Sequence, residues 1–297
     1  MPKPDMTAAL TGISGILVTP FDGEDRIAPT RLRPIVDRAV DAGVQILVSN
    51  GNTGEFYGLT MEEALSMVEA GAEAVAGRVP LVAGVGRGIH DACALARASV
   101  RAGASALMIH QPPDPFVAPR GLVDYVSCIA EAAEGTPLVL YIRNDAIGID
   151  AIARLCALDP VIGVKWATPN PMRLSEAMAE SDPSIVWVGG LAEVWAPVFY
   201  AVGARGFTSG LINVWPERSV AIHGALEAGD YALARTLIAG MKAFEDVRAQ
   251  ENGGANVSGV KAALQLSGHD CGAPRPPAAW PLGEAQIEAI RACLPQS

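Results

Sequence analysis

Paired cysteines, paired histidines, clustered positive charge and long uninterrupted apolar runs are all missing from this chain, and each absence removes a class of function. The five cysteines (Cys93, Cys128, Cys156, Cys271 and Cys293) are scattered, odd in number and never spaced Cys-x-x-Cys. That usage argues against a disulfide frame or zinc ribbon and for reduced packing residues in a cytoplasmic protein. His90, His110, His223 and His269 show no His-x-x-x-His spacing, so no metal site is expected. Lys and Arg number 22 against 32 Asp and Glu, a net charge of −10 without a basic cluster. A phosphate backbone needs such a cluster, so nucleic acid is not an expected partner. The least polar long window, 186–207, is broken by Glu193, Pro197, Arg205 and several glycines. It reads as strand, buried helix and strand, so no membrane partner is expected. Met1 to Asp5 lack the basic segment and apolar run of a secretory signal.

Aromatics are also scarce, at 5%, although 50% of the 297 residues are hydrophobic. A core rich in Ala, Val, Leu and Gly suits helices packed on a parallel sheet better than an all-β sandwich. One pattern recurs, a helix ending at glycine followed by a short apolar strand. It appears at Ala42-Gly43-Val44, Ala102-Gly103-Ala104 and Gly203-Ala204-Arg205. Strands are expected at 15–19, 45–49, 81–85, 106–110, 138–142, 162–166, 185–189 and 206–209. Amphipathic or Ala-rich helices lie between them, for example 61–76, 91–102 and 121–134. Eight strand-then-helix units predict an α/β fold, a (β/α)8 TIM barrel over residues 1–229. Residues 230–297 hold no strand pattern and read as a helical extension packed on the barrel, with helices at 231–250, 257–267 and from 284.

In such a barrel the C-terminal ends of the strands carry the chemistry. Strand six contains Lys165 within Ile162-Gly163-Val164-Lys165-Trp166-Ala167, one ammonium in an apolar run. A lysine in this setting either snorkels to water or a carboxylate, or is held as a neutral amine able to form a Schiff base. Tyr141 ends strand five, next door, where a phenol can serve proton transfers; core packing with a backbone partner is the plainer role. Strand two runs into Gly51-Asn52-Thr53-Gly54-Glu55, whose amides and neutral donors suit a carboxylate or make only a tight turn. Thr208 and Ser209 offer hydroxyls after strand eight, and Gly190 permits close backbone approach after strand seven. Arg143 suits either a distal substrate carboxylate or a surface ion pair. His110 and Glu55 read as structural hydrogen-bonders. Gly84-Val85-Gly86-Arg87-Gly88 lacks the following Lys-Ser/Thr of a phosphate loop.

Gly51-Asn52-Thr53-Gly54-Glu55, Tyr141 and Gly163-Val164-Lys165, in this order, resemble the dihydrodipicolinate synthase/N-acetylneuraminate lyase superfamily over nearly the whole chain. The resemblance implies a homo-oligomeric barrel, a dimer or tetramer, that condenses a 2-keto acid with Lys165 and needs no cofactor. It further implies that Tyr141 relays protons, that Gly51, Asn52 and Thr53 cradle the carboxylate, and that Thr208 and Gly190 border it. The chain departs from the synthases, which typically carry Thr-Thr at Asn52-Thr53, a Tyr pair near His110 to Pro113, and an arginine at Ala146. Gly54 to Thr60, Tyr141 to Ile147, and Asn252-Gly253 through Arg275-Pro276-Pro277 look more like the 5-dehydro-4-deoxyglucarate dehydratase branch, although that branch usually has glycine at Asn52. The resemblance thus implies a lyase for a 2-keto-3-deoxy sugar acid, a dehydratase. A pyruvate-dependent aldolase, a condensing enzyme and a non-catalytic keto-acid binder are the alternatives.

Overall fold

A computed structural model describes residues 5–295, so the sequence reading of Met1 to Pro4 lies outside the described residues. The strands are β1 Ile13–Ile16, β2 Ile46–Ser49, β3 Leu81–Val85, β4 Ala106–His110, β5 Leu138–Ile142, β6 Val161–Trp166, β7 Val186–Gly189 and β8 Phe207–Ser209. They pair in parallel and in sequence order, and β1 closes on β8 through Ile13↔Phe207, Ser14↔Thr208 and Gly15↔Ser209. The expected (β/α)8 barrel is therefore observed. Its strands are continuous apolar runs because one face packs on helices and the other on the barrel interior.

The helix-then-glycine pattern has a backbone cause. Gly43 (φ 96°), Gly103 (φ 97°) and Gly203 (φ 112°) follow the Arg33–Asp41, Ile89–Arg101 and Ala192–Ala201 helices in the left-handed region, where a side chain is strained. At the other end of a helix, Thr60 caps Met61–Val75: its Oγ1 accepts the Glu63 N–H (3.1 Å) while Glu63 Oε2 accepts the Thr60 N–H (2.8 Å). Such a cap is worth about 1 kcal/mol.

The structure corrects two sequence expectations and adds one element. The first strand stops at Ile16, short of residue 19, because Val18 N–H donates to the Asn213 side chain (3.1 Å) and not to a strand. The single helix expected over 231–250 is two, Tyr231–Ala239 and Lys242–Arg248; the chain turns at Gly240 so that Met241 enters the core. A short helix that periodicity does not reveal, Met6–Leu10, plugs the N-terminal end of the barrel. Its Met6 and Leu10 join Ile16, Val48, Met108 and Val139 in the interior cluster. Gly163 on β6 makes room, since a Cβ there would lie 3.1 Å from Leu10 Cδ1.

Beyond Gly229, Tyr231–Ala239 packs on the Pro216–Glu227 and Ala192–Ala201 helices. Lys242–Arg248, Asn256–Leu266 and Glu284–Cys293 pack on one another, and the first two reach the C-terminal mouth. Among the described residues no helix is long and apolar enough to cross a membrane.

Candidate active site

Parallel register brings the site together. His110 pairs with Tyr141 across β4 and β5, and Tyr141 pairs with Lys165 across β5 and β6. Register neighbours share a face, so all three project inward at one level near the strands' C-terminal ends. Tyr141 and Lys165 floor a cavity of about 530 Å³ also bordered by Asn52, Thr53, Arg143, Gly190 and Thr208, while His110 is buried behind them.

Lys165 is 4% exposed, and its Nζ sits 3.9 Å from the centre of the Tyr141 ring. Among the described residues no carboxylate pairs with it. Burial, aided by repulsion from Arg143, lowers its pKa to about 7. The reading in which the amine reaches water or a carboxylate is not what is seen; the amine is enclosed, and burial favours its neutral form. Tyr141 is equally enclosed, and burial pushes its phenol up to about 12 against the pull of Arg143. Its Oη accepts a hydrogen bond from Asn52 Nδ2 at 2.9 Å.

The loop after β2 is fixed from several sides. Asn50 (φ 59°) and Glu55 (φ 58°) both adopt left-handed conformations, a strain that surrounding contacts must hold. Asn50 Nδ2 donates to Ala64 O (2.9 Å), and Thr19 Oγ1 donates to Gly54 O (2.6 Å). His110 Nε2 lies 2.8 Å from Asn50 O, while its ring stacks on Phe56 at 4.6 Å. Burial drops the His110 pKa to about 3, with Lys165 and Arg143 acting in the same direction, so the ring is neutral and structural. Gly51 stands behind the cavity wall, where a Cβ would come within 2.4 Å of Ile16 Cγ2. The N–H groups of Asn52 and Thr53 have no backbone partner among the described residues, leaving two donors at the cavity edge.

Thr208 and Ser209 are separated by strand alternation. Thr208 faces the cavity, whereas Ser209 points outward, is fully buried, and donates to Glu193 Oε1 at 2.5 Å with Ser219 3.0 Å away. The sequence expectation that both hydroxyls meet a substrate is corrected for Ser209, because successive residues of a strand face opposite ways. Burial and the nearby Glu245 hold Glu193 well above the usual carboxylate range.

Arg143 is exposed at the rim and pairs with no carboxylate among the described residues, so the surface ion pair considered from sequence is not formed. Its guanidinium lies beside the Tyr57 hydroxyl. Sequence reading missed the far wall, which includes Trp195, Arg248, Asn252 and Asn256. Arg248 is held by Glu245 and by Asn256 Oδ1 (2.7 Å from Nη2). The only sequence signal for that wall was the family-like Asn252-Gly253 segment. Among the described residues, no group of three His, Cys, Asp or Glu is disposed to hold a metal ion.

Comparison with known proteins places the chain in a family. The model of the dihydrodipicolinate synthetase family matches residues 9–296. A protein of Rhizobium rhizogenes named "Probable 5-dehydro-4-deoxyglucarate dehydratase" is 32% identical over 272 residues, 90% of this chain and 89% of its own length. A similarly named protein of Streptomyces coelicolor is 33% identical, covering 96% of this chain and 93% of its own. Among solved structures, the dihydrodipicolinate synthase of Oceanobacillus iheyensis superposes with a TM-score of 0.93 at 35% identity, covering 97% of each chain. Sharing its barrel with these structures and its length with these relatives, the chain belongs to the dihydrodipicolinate synthetase family.

Proposed function

We propose that the protein is a Schiff-base lyase for a 2-keto-3-deoxy sugar acid, acting as a dehydratase of the 5-dehydro-4-deoxyglucarate type. The observation that carries this reading is Lys165, an amine buried at the floor of the cavity with its pKa near 7 and a phenol beside it. A neutral amine attacks the ketone of the substrate, and loss of water gives an iminium. The iminium acidifies the adjacent carbon; loss of that proton and expulsion of the next hydroxyl complete the dehydration. The free N–H groups of Asn52 and Thr53 take the keto-acid carboxylate, as adjacent backbone donors do for anions. Gly190 and Thr208 border the bound chain, and Tyr141 handles protons.

Arg143 supports a diacid in particular. A guanidinium at the cavity rim without a protein carboxylate is suited to a second carboxylate at the far end of the substrate. The relatives named as dehydratases of a sugar diacid point the same way. The relatives named dihydrodipicolinate synthase support a second reading, a condensation on the same iminium. Asn52, Pro113 and Ala146 weigh against it, since the hydroxyls and arginine that the resemblance leads one to expect there are missing. The helices after Gly229 belong to the working unit in this reading, because Arg248 and Asn256 wall the cavity. Assembly as a homodimer or homotetramer in the cytoplasm accompanies the proposal; sedimentation of the purified protein tests the assembly.

The test is borohydride trapping with a panel of 2-keto acids, followed by peptide mapping and product analysis. Label on Lys165 and a dehydrated keto acid as product are expected. Release of free pyruvate would instead make the protein an aldolase. Label on Lys242 or Lys261, or none at all, would remove the Schiff base from the account.

A further inference from the structure

The Asn52–Tyr141 contact has a direction. Asn52 Nδ2 donates to the phenol oxygen at 2.9 Å, and Asn52 Oδ1 is buried without a hydrogen-bond partner. Asn52 and Tyr141 both border the cavity that holds Lys165, and Tyr141 is only 5% exposed. An amide N–H carries no acceptor lone pair, so it cannot receive the phenol proton. His110 meets Tyr141 edge-on at 5.3 Å, with its Nε2 engaged by Asn50 O and its Nδ1 buried without a partner, so no hydrogen bond joins the two side chains. The phenol O–H donates to no protein acceptor among the described residues, and Tyr141 lines the cavity.

We propose that Asn52 is a positioning residue that confines the proton exchange of Tyr141 to the ligand side, closing the proton relay that a hydroxyl at position 52 would open. The inference rests on the Schiff-base reading above and deepens it. When the carbinolamine loses water, the phenol proton goes to the departing hydroxyl, the C–O bond breaks, and the nitrogen lone pair forms the C=N bond. Water leaves and Tyr141 remains as a phenolate, which accepts the Asn52 N–H. The phenolate then takes a proton from the carbon next to the iminium, regenerating the phenol and leaving a neutral enamine. Both transfers occur on the cavity side, and no proton passes behind Tyr141.

Two measurements test this. In the first, the isosteric Asn52→Asp replaces the donor with an acceptor, which turns the phenol proton away from the cavity. Imine formation on Lys165 with pyruvate, trapped by cyanoborohydride, should slow by about 100-fold at pH 8, the scale of a lost general acid. The ratio to the parent protein should shrink toward pH 5 as the new carboxyl protonates and becomes a donor. A tolerated carboxylate, or a ratio independent of pH, would mean that the phenol already donates to residue 52 and would overturn the proposal. The second measurement needs no ligand. In protein labelled with 3-fluorotyrosine, with Tyr141→Phe assigning the signal, Asn52→Leu should move the Tyr141 titration upward by about one to two pH units, the worth of a hydrogen bond to a charged oxygen. An unmoved titration overturns the role of Asn52 even where trapping succeeds. A titration that moves as expected in a protein that never traps pyruvate or any other keto acid overturns the Schiff-base reading, and with it the proton path.

Discussion

Glu55, in the loop after β2, and Lys261, in the Asn256–Leu266 helix, form an ion pair of 2.7 Å with both side chains out of solvent. Glu55 Oε2 also accepts the Arg275 N–H at 2.7 Å, and the Arg275 side chain grips Glu63 and Asp25. The C-terminal segment thereby clamps the loop that carries Asn52 and Thr53. Burial raises the Glu55 pKa and lowers that of Lys261, so for each group desolvation outweighs the attraction.

Such a pair is costly to break from one side. Lys261→Met should destabilise the protein by about 3–5 kcal/mol in urea unfolding, because Glu55 is left buried and uncompensated. Adding Glu55→Gln, which keeps an acceptor for the Arg275 N–H, should recover most of that loss. A double variant no more stable than the single one would show that the pair's charge is not what matters.

Lys165 should trade stability for reactivity. Its folded pKa is about 7, against the usual 10.5, so the unfolded chain binds more protons between those values and stability rises with pH across that window. Lys165→Met should therefore stabilise the fold by about 2–4 kcal/mol below pH 7, with the gain fading toward pH 10.5. Thermal melts across this range, together with loss of trapping, check both halves.

The same amine sets an acid limb on the chemistry. The trapping rate should fall tenfold per pH unit below about 7, where the amine is protonated, and level off above it. Burial is the larger cause and Arg143 the smaller, so Arg143→Gln should move the limb upward by about half a pH unit. It should also raise KM for a diacid far more than for a monoacid. Equal effects on the two substrates would leave Arg143 without a binding role.

Strand alternation predicts opposite results for neighbouring hydroxyls. Thr208→Val should lower kcat/KM by about tenfold with the melting temperature kept, as a lost substrate hydrogen bond does. Ser209→Ala should leave KM alone and cost about 1–3 kcal/mol, since Glu193 Oε1 loses one of its two hydroxyl donors. Steady-state kinetics and melts on the two variants separate the roles.

Lys165 and Tyr141 were legible because an ammonium and a phenol at the ends of apolar strands break the composition of their surroundings. Ser209 was misplaced because a run of three, Phe207-Thr208-Ser209, is too short for a period of two to show which residue faces in. Arg248 and Asn256 were invisible because they come from helices whose faces are decided by packing against the barrel, which no local pattern encodes.

The sequence by itself determined the eight-fold repeat of strand and helix, since apolar runs, caps and left-handed glycines are written locally. It also placed Lys165 on β6 beside Tyr141 on β5, because consecutive strands of a parallel barrel are neighbours. Only the tertiary structure decided what those residues become. Enclosure of Lys165 lowers its pKa, the amide of Asn52 meets the phenol across the barrel mouth, and Lys261 anchors the loop between them. Each depends on distance and desolvation between segments far apart in the chain, and those quantities exist only once the barrel has closed.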